Sequence, residues 1–151
     1  IYMKSRSELR EKIMVILYQI DINRSQHIDY NVEEIISSNL DIDNEFVRDI
    51  VYGVITYEDE IISIANKYMK NWDISRIDKT GAAILKMAIY ELKYTDTPHI
   101  VVINEAVELA KKYSDDAVRK IINAVLDKMI KEWWYGYQIY NNLWFKSLYK
   151  S

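Results

Sequence analysis

The chain has 151 residues, half of them apolar, which is enough for one hydrophobic core and too few for two ordinary domains. It contains no cysteine, which excludes a disulfide framework and a thiolate metal site. The net charge of −3 argues against a general nucleic-acid-binding protein, and the lack of a signal-peptide core or a long apolar stretch predicts a cytoplasmic protein without a membrane span.

Apolar residues recur at helical spacing along the chain, and its 3 glycines and 1 proline are the only strong helix breakers. The first predicted helix carries an apolar stripe at steps of three and four, formed by Leu9, Ile13, Ile16, Leu17 and Ile20. A second helix is predicted over residues 29–40, and residues 41–44 are predicted to form a turn that caps the next helix. The pattern predicts an all-α protein.

The middle of the chain predicts further helices in close succession. From Phe46 to Tyr68 the apolar positions keep helical phase, with a bend or break expected near residues 57–59. Residues 78–94 are apolar around most of the helix circumference, which predicts a helix at the centre of a bundle. Pro98 is expected in the first turn of a helix over about 100–113, and a last helix is predicted over 116–132.

The final segment, residues 133–151, contains 8 aromatic residues and 2 lysines. We therefore divide the chain into a helical domain over 4–132 and an aromatic-rich extension over 133–151 of unknown role. Because so much exposed aromatic surface is unfavourable in water, the extension is expected to pack on the domain or on a second copy. Stacking on nucleic-acid bases is the alternative.

Nothing in the sequence predicts catalysis or a metal site. His27 and His99 lie far apart and have no neighbouring metal-ligand pattern. Residues 41–52 resemble the opening of a calcium loop, but Phe46 stands where glycine is needed and Tyr52 where glutamate is needed. Since the chain also lacks a phosphate-binding glycine loop and an activated nucleophile, we predict no enzyme activity, no cofactor and no metal.

Charge is distributed unevenly along the chain. Residues 20–66 hold 11 acidic and 2 basic residues, whereas the remainder holds 12 acidic and 18 basic residues. An anionic ligand is therefore expected to approach through the N-terminal and C-terminal thirds. The alternative is that solvated helix faces simply differ in charge.

One edge of the first helix predicts an RNA contact. Arg6, Arg10, Met14 and Tyr18 follow at four-residue steps, so they are expected to form one exposed ribbon beside the apolar stripe. Arginine contacts phosphates and an aromatic ring stacks on an unpaired base, which suits single-stranded RNA. Amphipathic helices also carry arginine at core boundaries, which leaves a structural role open.

Several collinear segments resemble the NusB family of bacterial antitermination factors. The resemblance is strongest in residues 100–113 and 119–128. The other matching residues and segments are Arg6, Arg10, Glu11, Leu17, Tyr18, residues 46–54, Trp72, Arg76 and residues 83–94. The resemblance implies a compact bundle of about seven helices in two packed subdomains. It also implies a factor that binds boxA RNA of nascent ribosomal RNA as a heterodimer with NusE, a small-subunit ribosomal protein. Other Nus factors and RNA polymerase would be indirect partners in termination-resistant elongation.

The resemblance further implies which residues act. Partner contacts are expected from Tyr18, Arg76, Gly81 and Lys86. RNA contacts are expected from Lys4, Arg6, Arg10, Tyr18, Lys112, Asp116, Arg119 and Lys120. Since Glu8 lies among the N-terminal bases, the isolated chain is expected to bind RNA weakly. Ile121 stands where many relatives have an aromatic residue, and Asn104 and Asn123 are expected to be buried.

Two other interpretations are open. A NusB-like domain forms the N-terminal RNA-binding part of certain ribosomal RNA cytosine methyltransferases, although this sequence shows no second domain and no cysteine. A helical interaction protein without RNA binding would fit the sparse arginines and the negative net charge. The sequence leaves open the preferred RNA sequence and whether the free protein is a monomer or a homodimer.

Overall fold

The computed structural model describes the backbone of residues 4–70 and 72–148, and the side chains in these ranges except those of 134 and 137–148. No strand occurs in the described residues, so the all-α prediction is confirmed. The helices are α1 (Arg6–Ser25), α2 (Val32–Asn39), α3 (Glu45–Thr56), α4 (Glu58–Tyr68), α5 (Lys79–Tyr94), α6 (His99–Tyr113) and α7 (Asp116–Leu148), with a short 3₁₀ turn at Ile74–Arg76.

Polar side chains cap most of the helix starts. Ser5 Oγ accepts a hydrogen bond from the Glu8 backbone N–H at 3.2 Å, at the start of α1. Asn44 caps α3 in the same way, which confirms the capping turn predicted over 41–44. Helix α2 begins at Val32, later than predicted, because Asn31 and not Asp29 supplies its cap. The predicted break lies at Tyr57, which ends α3 and precedes α4.

A left-handed residue, His27, follows the C-terminal end of α1, with φ of 55°. The His27 N–H donates to the Arg24 carbonyl at 3.2 Å, and the Ile28 N–H donates to the Asn23 carbonyl at 2.9 Å. These two bonds satisfy carbonyls that the end of a helix otherwise leaves unpaired. A non-glycine residue therefore occupies a position that favours glycine.

Helix α5 is the centre of the bundle, as predicted. It contacts α1, α3, α4, α6 and α7, and its buried residues extend from Gly81 to Leu92 with only Lys86 partly exposed. Helices α1, α2 and α3 pack together and α6 packs on α7, so α5 joins these two sets. Gly53 of α3 allows the Tyr90 ring to approach, since an added Cβ would lie 2.1 Å from ring atoms.

Helix α7 is longer than predicted. It continues through residue 132 to Leu148, so the predicted helix end at 132 is wrong. The reason is that residues 133–148 contain no proline, and Gly136 is their only glycine. Trp133 packs against the core and its ring centroid lies 6.5 Å from that of His99. Within the described part of the chain, no helix has the length and apolar character to cross a membrane.

Candidate nucleic-acid interface

The N-terminal end of α1 presents one exposed guanidinium. Arg6 is exposed, and its Cζ lies 4.4 Å from the centroid of the Phe46 ring on α3. It makes no ion pair with a described residue, so its charge is available to an anion. Lys4 precedes it and is half-buried. The contact of Arg6 with Phe46 was not predictable from local sequence, because it joins two helices.

The structure corrects the prediction that Arg10 lies on an exposed ribbon. Arg10 is 3% exposed and its Nε donates to Glu91 Oε2 at 3.1 Å, while Nη2 donates to the other oxygen of the same carboxylate. Thr97 also donates to Glu91, at 3.3 Å. A buried carboxylate on α5 needs a cation, and the bidentate arginine supplies it. Met14 is buried too, so the ribbon is interrupted between Arg6 and Tyr18.

The residues predicted to contact a protein partner occupy different environments. Tyr18 is 39% exposed and Arg76 is exposed at the end of the 3₁₀ turn. Lys86 is mostly buried and its Nζ lies 3.3 Å from Glu58, which also binds Arg24 at 2.6 Å. Of the four residues, Tyr18 and Arg76 are therefore the ones with substantial access to a partner.

Gly81 is the fourth of these residues, and its surroundings are those of a helix-packing position. It is buried in α5, and a Cβ added there would lie 2.5 Å from Val118 Cγ1 on α7. The small residue allows the two helices to pack closely. Its N–H binds the capping carboxylate of Asp78, whose second oxygen accepts from Ser114 at 2.6 Å. This carboxylate thus connects the start of α5 with the turn between α6 and α7.

The predicted RNA-binding residues on α6 and α7 flank this turn. Lys112 is exposed and donates to Glu11 of α1 at 2.7 Å. Arg119 is half-buried, and its Nε has no hydrogen-bond partner among the described residues, although it lies 3.5 Å from Asp116. Asp116 and Lys120 are exposed. Lys120 makes no ion pair with a described residue, so its ammonium is available to an incoming acceptor, whereas the unpaired Nε of Arg119 is itself buried.

Contacts between α1 and α6 bring the two sequence-distant segments together. Ser7 donates to Glu105 at 2.7 Å, and both Lys112 and Tyr113 donate to Glu11. The hydrogen bonds from Lys112 and Tyr113 hold the pKa of the Glu11 carboxyl below its usual range. The N-terminal and C-terminal thirds, which hold the excess basic residues, are thus neighbours in the fold.

The groove between α1 and α6 is nevertheless acidic. It is lined by Glu8, Glu11, Glu105 and Glu108 beside Lys111 and Lys112, and Lys111 pairs with Glu108 at 3.5 Å. A phosphate backbone would be repelled along this groove. Of the four glutamates, only Glu8 was predicted from the sequence to weaken RNA binding. The spacing of three residues between Glu8 and Glu11, and between Glu105 and Glu108, nevertheless places each pair on one helix face. Asn104 and Asn123 are exposed, so their predicted burial is also wrong.

Three comparisons place this arrangement among known proteins. A sequence model of the NusB family matches residues 7–131. The transcription antitermination protein NusB of Staphylococcus aureus (strain JH9) is 41% identical over 131 residues, covering 84% of this chain and 99% of that protein. These matches agree with the prediction that the chain is not an enzyme, since the relative is named as a transcription antitermination protein.

Solved structures give the same result for the fold. T. maritima NusB superposes with a TM-score of 0.77 at 28% identity, covering 87% of this chain and 94% of that one. A crystal structure of the antitermination factors NusB and NusE in complex with dsRNA superposes with a TM-score of 0.72 at 25% identity. That match covers 84% of this chain and 96% of the other.

Proposed function

The chain belongs to the NusB family, and we propose that it is a transcription antitermination factor that binds RNA together with NusE. The observation that carries this proposal is its similarity, over most of its length, to a chain in the complex of NusB and NusE with dsRNA. We further propose that the RNA is the single-stranded boxA element of nascent ribosomal RNA. The resulting complex would act in the cytoplasm with the other Nus factors and RNA polymerase.

The exposed basic side chains support an RNA-binding role. Arg6, Lys120 and Arg76 are exposed and make no ion pair with a described residue. Arginine and lysine displace counterions at phosphates, which gives affinity without sequence preference. Tyr18 adds an exposed ring that can stack on an unpaired base. These groups favour a single strand over a duplex, whose bases are already stacked.

The same geometry supports weak binding by the isolated protein. Arg10 is held by Glu91, Lys112 is paired with Glu11, and the groove beside them carries four glutamates. Few cations are therefore left for phosphates. A partner that contributes its own RNA contacts would raise the affinity of the pair, and by linkage RNA would tighten the protein heterodimer to the same extent. The proposed role is thus joint binding without any chemical step.

A titration with fluorescent RNA tests the proposal. The probes are boxA RNA, a scrambled single strand and a boxA duplex, each with and without purified NusE. We expect weak binding by the chain alone, at least a fivefold gain with NusE, corresponding to about 1 kcal/mol of coupling, and preference for single-stranded boxA. Equal affinity with and without NusE would contradict joint binding, and preference for the duplex would contradict the single-strand assignment.

The acidic groove gives one observation in favour of a second function. Four glutamates beside the N-terminal end of α1 suit a basic protein segment better than an RNA backbone. A stand-alone NusB-like interaction domain would bind NusE but no RNA under any condition of the titration. Binding of NusE at equal strength in the presence and absence of boxA RNA would support this alternative.

A further inference from the structure

A groove separates the end of α4 from one face of α7. It is open to solvent and has a volume of about 250 Å³, so it can accept a flat ring. Its floor is apolar, since Met69 and Val125 are buried and Ile121 is half-buried. Lys70 and Trp72, which follow α4, line one side of it.

The rim of this groove is basic. Lys70, Lys120 and Lys128 line it, and none of the three makes an ion pair with a described residue. No acidic side chain is among the described residues that line the groove. It differs in this respect from the groove between α1 and α6, where lysines face four glutamates. The charge of the α4–α7 groove therefore complements a polyanion.

Trp72 supplies an aromatic surface beside these lysines. It is 52% exposed, although tryptophan is highly buried on average in folded proteins. Tyr68 lines the same groove, but its hydroxyl donates to Glu132 and its ring is half-buried. Trp72 is thus the ring most available to a ligand. Exposed aromatics between lysines are typical of sites where successive bases stack and phosphates are neutralised.

We propose that the α4–α7 groove binds a stretch of single-stranded RNA, with a base stacked on Trp72 and phosphates held by Lys70 and Lys128. The inference rests on the proposed RNA-binding function, and it extends the RNA path beyond the candidate residues of α1 and the α6–α7 turn. Lys120 lines the groove and is also one of the candidate residues beside the α6–α7 turn, so the two parts of the proposed RNA path adjoin. Ile121, in the floor of the same groove, has no aromatic ring on which a base could stack. Trp72 therefore supplies the aromatic contact.

The test compares short and extended RNA in the heterodimer with NusE. The probes are boxA RNA alone and boxA RNA lengthened with uridines at its 5′ end or at its 3′ end. We expect wild-type protein to bind one extended RNA more tightly than boxA alone. Trp72→Leu should abolish this gain, a loss of about fivefold to a hundredfold, because base stacking on an aromatic ring contributes roughly 1–3 kcal/mol. Trp72→Phe should retain part of the gain.

Charge variants test the phosphate contacts independently of the tryptophan. Lys70→Gln and Lys128→Gln should each reduce the salt slope for the extended RNA by about 0.7 and leave boxA alone unchanged. Lys131→Gln is the matched control, since Lys131 lies on the same helix, pairs with Asp127 and does not line the groove. Circular dichroism confirms that each variant keeps its helices.

The outcomes separate this inference from the proposed function. If wild-type protein with NusE binds no RNA, the proposed function fails. If it binds boxA but the extension adds nothing, or if Trp72→Leu and Trp72→Phe bind the extended RNA as wild type does, the groove is not an RNA site. Weaker binding of NusE itself by the Trp72 variants in the absence of RNA would assign the groove to a protein partner and overturn the inference.

Discussion

Arg6 and Arg10 lie one helical turn apart in α1 and occupy opposite environments. Arg6 is exposed over the Phe46 ring, whereas Arg10 is buried in a bidentate pair with Glu91. The distinction was not predictable from α1 itself, because Glu91 lies 81 positions further along the chain. Of the two, Arg6 is therefore the RNA-contact candidate and Arg10 stabilises the fold.

Alanine substitutions should separate these two roles. Arg10→Ala should lower the free energy of unfolding by about 3–5 kcal/mol, because it leaves the Glu91 carboxylate buried and unpaired. Arg6→Ala should leave stability within about 0.5 kcal/mol and reduce the salt slope of RNA binding by about 0.7. Urea unfolding and RNA titration at several salt concentrations measure these effects. The double variant Arg10→Met with Glu91→Leu should recover most of the stability, and failure to do so would assign the loss to packing.

His27 provides a second test at the residue scale. Since its φ of 55° is unfavourable for a side chain with a Cβ, His27→Gly should raise the free energy of unfolding by about 1 kcal/mol. His27→Ala keeps the Cβ and serves as the control, with no gain expected. Thermal or urea unfolding gives both values. Equal stability of the glycine and alanine variants would show that the imidazole, and not the backbone, determines the effect.

At the scale of helices, most of the fold follows from local sequence signals. Asn44 caps α3, Tyr57 marks a break, and the apolar circumference of 78–94 identifies the central helix. These features depend on residues only a few positions apart. The full length of α7 was not predicted: the family resemblance ends at residue 131, whereas the helix continues to Leu148 because no proline interrupts it. The candidate functional site was less predictable, because the surroundings of its residues depend on other helices. Gly81 of α5, for example, packs against Val118 on α7.

The contact between α1 and α6 should make stability depend on pH. Hydrogen bonds from Lys112 and Tyr113 lower the pKa of Glu11 from its ordinary 4.5, so the stabilisation is fully present above pH 4.5. It is lost as pH falls through the lowered pKa, because the protonated carboxyl no longer attracts Lys112. Solvent screens this pair, because Lys112 is exposed and Glu11 is only half-buried, so the effect on stability is small.

Lys112→Met isolates this contribution. The variant should be less stable than wild type near neutral pH, and the difference should shrink below pH 4.5. Lys111→Met is the control, because Lys111 pairs with Glu108 on its own helix and does not reach α1. Urea unfolding between pH 3 and 7 gives the comparison. A difference between Lys112→Met and wild type that is constant with pH would contradict a role for Glu11 ionisation.

For the whole molecule, the division at residue 132 stays a prediction that truncation can test. Trp133 packs on the core, so deletion of 133–151 should cost about 1–2 kcal/mol through this ring, whereas deletion of 137–151 should leave stability unchanged. Both truncations should retain RNA binding with NusE and change self-association. Sedimentation, thermal unfolding and the RNA titration measure these outcomes. Loss of folding or of RNA binding on deletion of 137–151 would move the domain boundary into the extension.

The long-range pairs of α1 have a consequence for protein synthesis. Arg10, Ser7 and Glu11 pair with residues 81 to 101 positions later, which the ribosome adds long after α1. A nascent chain therefore carries Arg10 without its carboxylate until α5 has emerged, and the contacts of α1 with α6 form later still. The N-terminal surface therefore completes its long-range contacts only after α6 has been synthesised, and a chain terminated before α6 lacks them.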